Sequence, residues 1–129
     1  MSPEDAVVPR SLVSIVDDDQ SVRDSLPELI RQFGLDVRTF ASAEAFLASE
    51  FVNDTSCLVL DIAMPGMSGT ALWQELTKRR QMIPIVFITA SGDKNIRRQV
   101  IAEGAVECLF KPFSGTALRD ALNVALRSK

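Results

Sequence analysis

Residues 57–69 read Cys57-Leu58-Val59-Leu60-Asp61-Ile62-Ala63-Met64-Pro65-Gly66-Met67-Ser68-Gly69. An apolar run ends on a carboxylate and gives way to a loop crowded with turn formers, and Leu72, Trp73 and Leu76 then repeat at helical spacing. A continuous apolar run of this length suits a strand buried on both faces, as in parallel sheets covered by helices. The same unit recurs on either side. Leu12 to Val16 is a mostly apolar run that stops at Asp17-Asp18-Asp19. Val22, Leu26, Leu29, Ile30 and Phe33 follow at helical spacing, with Gly34 suited to end the helix. Pro27 lies inside that helix and predicts a kink or a late start, because proline offers no N–H. Val37 to Phe40 is a short second strand, and Ser42 caps a brief helix carrying Phe46 and Leu47. Ile83 to Ile88 is the fourth strand and ends at Thr89. Ile96, Val100 and Ile101 mark a helix that Gly104 stops. Val106 to Phe110 is the fifth strand, followed by Lys111-Pro112. Ser114 opens a last helix with Ala117, Leu118, Ala121, Leu122 and Ala125 on one face.

Five strand–helix units predict a doubly wound α/β fold around a parallel sheet. Crossovers in such folds are right-handed almost without exception, and ligands bind beyond the carboxyl ends of the strands. At 129 residues the chain suits one domain. Residues 1–10 are expected to form a loose tail, with Glu4 and Asp5 early and no apolar stretch of the signal-peptide kind. Residues 11–129 are expected to form the domain.

Composition narrows the chemistry. The chain has no histidine, so Ser-His-Asp and Cys-His catalysis, histidine-ligated zinc and an imidazole switch are excluded. Its 14 Lys+Arg against 17 Asp+Glu give a net charge of −3, which argues against direct nucleic-acid binding by this domain. The basic runs Lys78-Arg79-Arg80 and Arg97-Arg98 are read as solvated helix faces. The strongest apolar run, Ile85 to Ile88, is far below the roughly 20 residues of a membrane span, so no membrane partner is expected. Cys57 and Cys108 sit in apolar runs, which suits a reduced, cytoplasmic protein. The fourth strand should separate them, and two sheet spacings of roughly 4.8 Å exceed the reach of a disulfide.

The residues that end the strands are Asp17 and Asp18, Asp61, Thr89 and Lys111. Each alone could be a turn, a cap or a surface residue, but together they fall at the one edge where this architecture puts its site. Three carboxylates close together repel, and a divalent cation relieves the repulsion. Carboxylates and water suit Mg²⁺, a hard ion that commonly meets phosphates. Lys111 adds a positive charge and Thr89 a hydroxyl, both suited to the oxygens of a phosphoryl group in transfer. One carboxylate can then act as nucleophile and form an acyl phosphate.

Four motifs in this order resemble the receiver domain of response regulators: residues 15–19, residues 58–69, Phe87-Ile88-Thr89-Ala90 and Lys111-Pro112-Phe113. The resemblance runs from about residue 11 to the C-terminus, and residues 39–47 look most like receivers of the FixJ type. It implies a flavodoxin-like strand order 2-1-3-4-5, with Asp61 as phosphoacceptor. Asp18 would hold Mg²⁺ or Mn²⁺ directly and Asp17 largely through water, with the Ala63 carbonyl a further ligand. Thr89 would bond the phosphoryl group and Lys111 would pair with it. The Lys111-Pro112 bond is commonly cis in the family, and Asp19 is read as helping to cap the first helix. The implied partners are a sensor histidine kinase or phosphotransfer protein as donor and an output domain or effector as target. The implied switching surface is the fourth helix, fifth strand and fifth helix, about Asp93 to Arg127, with homodimerisation on phosphorylation as one outcome. Such a domain is a switch and not a turnover enzyme, catalysing only its own phosphotransfer and dephosphorylation.

The chain departs from the pattern at Cys108, where the family usually carries Tyr or Phe as the ring that answers the Thr89 movement. A thiol offers neither ring volume nor a phenol. Phe110, two residues on and so on the same strand face, is expected to fill part of that volume. A second reading is a haloacid-dehalogenase-type Mg²⁺ phosphatase, which Asp17-Asp18-Asp19-Gln20-Ser21 mimics. That reading wants two acidic residues after a late strand, and none stands there.

Overall fold

Leu12–Val16 (β1), Asp36–Phe40 (β2), Thr55–Asp61 (β3), Ile85–Thr89 (β4) and Glu107–Phe110 (β5) lie side by side in one parallel sheet, in the order β2-β1-β3-β4-β5. The computed structural model describes residues 10–127, so residues 1–9 of the expected tail and the last two residues lie outside the described part. The connecting helices are Gln20–Gln32 (α1), Ala43–Leu47 (α2), Gly69–Lys78 (α3), Lys94–Ala102 (α4) and Gly115–Arg127 (α5). This is the doubly wound arrangement that the alternating pattern predicts, in the flavodoxin-like order that the family resemblance implies.

All seven residues of β3 and all five of β4 are buried, which explains their lack of polar alternation. Alternate strand residues feed two separate cores. Ile15, Val59 and Ile88 meet α1 and α5 on one face; Leu58, Leu60 and Phe87 meet α2, α3 and α4 on the other. Burying each such side chain contributes roughly 1.5–3 kcal/mol. Cys57 belongs to the first core and Cys108 to the second, so the two free thiols are separated by the sheet itself as well as by β4. Ser14 and Thr55, both buried, share a hydrogen bond of 2.7 Å, and Thr55 donates on to the Phe51 carbonyl.

Most boundaries follow local signals. Asp19, Ser42 and Ser68 accept hydrogen bonds from the first-turn N–H groups of α1, α2 and α3, as N-caps do. Gly34, at φ +86°, follows α1 in the left-handed conformation that closes a helix. Of the expected kink or late start of α1, the late start does not occur: α1 begins at Gln20 and runs through Pro27, which is buried. The fourth strand begins at Ile85 and not at Ile83. Pro84 has no N–H to give, although its carbonyl still accepts from Leu58 N at 3.0 Å. Arg80 takes the left-handed position after α3 at φ 60°, a place where sequence reading expects glycine.

Gly69, the first residue of α3, is held against the end of β3 by a hydrogen bond from its N–H to the Ile62 carbonyl at 2.8 Å. A Cβ there would collide with the Asp61 carbonyl oxygen. Gly69→Ala should therefore lower stability by about 1–3 kcal/mol in urea unfolding. Gly92→Ala, where a Cβ meets nothing within 4 Å, should stay within about 0.5 kcal/mol of the parent.

Candidate functional site

The carboxyl ends of β1 and β3 bring Asp17, Asp18 and Asp61 together, each offering an oxygen within 4.8 Å of the others. β5 delivers Lys111 from the far side of the sheet. Its Nζ donates to Asp17 Oδ2 at 2.8 Å and stands 3.9 Å from Asp61 Oδ2. The Lys111-Pro112 peptide is cis. Thr89 ends β4 and is buried, and its hydroxyl accepts from the Ser91 N–H at 3.1 Å.

Asp17 is buried and tied down on all sides. Its N–H donates to the Phe40 carbonyl, its carbonyl accepts from Arg23 Nη1 at 2.9 Å, and its Oδ1 accepts from the Asp19 N–H at 2.9 Å. Asp18, by contrast, is exposed, its carboxylate free to meet water and an ion together. Asp61 is only 6% exposed. Burial first, and then the charge of Asp17, push its carboxyl up to about 7 against the pull of Lys111. Burial works against the Lys111 ammonium too. The hydrogen bond and charge of Asp17, with Asp61 and Asp19 behind it, outweigh burial and hold Lys111 above its ordinary value.

Asp17, Asp18, Asp61, Thr89 and Lys111 thus share one pocket at the sheet edge. Ala63 follows Asp61 by two residues, on the exposed loop leading to α3. Cys108 pairs with Phe87 and Phe110 with Thr89 across the β4–β5 ladder, and both belong to the α2–α4 face, as period two predicts. Three contributors escape sequence reading. Arg23 lies one helical turn beyond Asp19, where the backward tilt of helix side chains returns it to the acidic loop. Glu44 on α2 accepts from the Met67 N–H at 3.4 Å and braces the loop after β3. Arg97 does more than face solvent: still partly exposed, it reaches β5, bonding Glu107 at 2.7 Å and the Cys108 carbonyl at 3.3 Å. Only the Arg23 signal, a basic residue four after a cap, was open to the sequence.

The donor set is hard oxygen with a surplus of negative charge, which fits a small divalent cation. No acid pair follows a late strand: Asp93 stands alone after β4 and caps α4. The phosphatase reading is not kept.

Residues 13–123 match the family described as "Response regulator receiver domain". The chain is 44% identical over 116 residues to "Transcriptional regulatory protein TdiR" of Thauera aromatica, covering 90% of this chain and 51% of that protein. Among solved structures it is similar to response regulator StyR, with a TM-score of 0.84 and 45% identity over 92% of this chain and 60% of the other. It also matches FixJ-N, with a TM-score of 0.83 and 36% identity over 95% of this chain and 98% of the other. The chain spans about half the length of the curated relatives it matches. Among the described residues no helix is long and apolar enough to cross a membrane. By its fold, its strand-end acids and these similarities, the chain belongs to the receiver domains of two-component response regulators.

Proposed function

We propose that residues 11–129 form a phosphoacceptor domain that receives a phosphoryl group on Asp61. The observation that carries this reading is the shared pocket of Asp17, Asp18, Asp61 and Lys111 at the sheet edge. Asp61 Oδ attacks the phosphorus of a donor phosphohistidine. A P–O bond forms, the P–N bond breaks, and the donor imidazole, protonated beforehand on its other ring nitrogen, leaves neutral and keeps that proton. These 129 residues contain no histidine, so the phosphoryl group comes from a sensor histidine kinase or phosphotransfer protein, or from a small acyl phosphate. A bound Mg²⁺ would offset the charge on the transferring oxygens, held by Asp17, Asp18, Asp61 and the Ala63 carbonyl. Lys111, bonded to Asp17 and 3.9 Å from Asp61, pairs with the phosphoryl group, and the Thr89 hydroxyl donates to it. The acyl phosphate then biases a two-state surface of α4, β5 and α5 toward dimerisation or an output domain. Free Cys57 and Cys108 and the kinase donor fit a cytoplasmic setting.

Beryllofluoride, a phosphoryl mimic, tests this reading. It should bind in the presence of Mg²⁺ to the parent chain and not to Asp61→Asn, by titration calorimetry. Binding that ignores Mg²⁺ or Asp61 would sink it.

Cation and proton compete for the Asp61 carboxylate, so Mg²⁺ affinity follows its titration. With Asp61 near 7, apparent affinity should rise about tenfold from pH 6 to pH 8 and level off above. The sign for folding is opposite. The raised carboxyl contributes stability to the metal-free protein that is complete below its ordinary 3.8 and lost as pH rises through about 7. Asp61→Asn should remove that slope from melting temperatures taken between pH 5 and 8.

Phe110→Ala should keep Mg²⁺-dependent beryllofluoride binding yet lose most of the accompanying amide chemical-shift change in α4 and β5. A full response would show that the ring beside Thr89 is not needed.

A further inference from the structure

α4 is lightly attached. Val100 is its only buried residue, packed in the same core as Cys108. Its polar tie is Arg97, and the tie is made at a particular place. β5 is an edge strand, so the outward backbone groups of Cys108 have no neighbouring strand to pair with. Two side chains close them. Glu107 Oε1 accepts from the Cys108 N–H at 2.9 Å, and Arg97 Nε donates to the Cys108 carbonyl at 3.3 Å. Arg97 Nη2 then joins Glu107 Oε1 at 2.7 Å, completing a ring of three hydrogen bonds between helix and strand edge. Thr89 connects to α4 through only residues 90–93.

We propose that the Arg97–Glu107 pair is a positioning latch that holds α4 on the edge of β5 at Cys108 and sets how readily the phosphorylated state is reached. The inference rests on the phosphoacceptor reading above. Cys108 has no ring to transmit movement of Thr89 along the strand, whereas Arg97 bonds the helix that follows Thr89 to the backbone of Cys108. A shift of α4 away from β5 breaks both Arg97 bonds and leaves the Glu107–Cys108 bond in place. The latch therefore belongs to the arrangement described here and opposes departure from it. Removing it lowers the cost of the other state, and by linkage a ligand that selects that state binds more tightly. The pair is partly solvated, with side chains 43% and 30% exposed, so the expected gain is about two- to fivefold.

The test is beryllofluoride titration with Mg²⁺ on the full chain, comparing the parent with Arg97→Gln, Glu107→Gln and the double variant. Each single variant should tighten binding by about two- to fivefold, and the double variant by no more than the better single, because both remove one latch. Arg97→Lys, which keeps the charge but not the fork, should fall between parent and Arg97→Gln. Melting temperatures measured alongside separate the alternatives. Lower stability with unchanged or weaker beryllofluoride affinity means the pair is only structural and overturns the latch, as do additive effects. A parent chain that fails to bind overturns the phosphoacceptor reading, and the latch with it.

Discussion

Three carboxylates forced to one sheet edge are the constraint around which this molecule is arranged. Two of them, Asp17 and Asp61, are buried, and the charge of Asp17 makes Asp61 harder to ionise. Lys111 answers only part of that charge, bonding Asp17 closely and standing farther from Asp61. β1 and β5 are not neighbours in the sheet, so this bond spans the ends of β3 and β4. The remaining deficit of positive charge is what fits the pocket to a cation.

The scaffold serves that pocket by being rigid where the acids stand. Asp17 is held by backbone and side-chain bonds to Phe40, Arg23 and Asp19 as well as to Lys111. Asp61 ends a strand with no exposed residue, and the first turn of α3 approaches its carbonyl so closely that only glycine fits at residue 69. The opposite holds for α4, which carries one buried residue and a latch of partly solvated groups. A rigid acid pocket next to a loosely held helix is the physical arrangement a switch needs.

Much of this was legible beforehand because local patterns and the global fold agree. The apolar runs of β3 and β4, the caps Asp19, Ser42 and Ser114, and the polar residues ending each strand could be read one segment at a time. What escaped did so for a common reason. Pro27 is accommodated within α1 because the helix is fixed by burial of Leu26 and Ile30 against the sheet, which overrides a missing N–H. Arg97 looked like one of two solvated arginines, yet its partners lie ten and eleven residues away on an edge strand. The bracing of Asp17 by Arg23 and of the loop after β3 by Glu44 likewise joins separate elements.

The sequence by itself determined the strand–helix alternation, the parallel sheet and the set of strand-end residues, because periodicity, turn chemistry and charge are properties of short segments. Tertiary structure alone decided how near Lys111 comes to each carboxylate, how far burial raises Asp61, and that Cys57 and Cys108 face opposite cores. It also decided that Arg97 reaches across to the edge of β5. Distances, desolvation and cross-element hydrogen bonds exist only once the chain has closed on itself, and those are the quantities that turn a list of acids into a site.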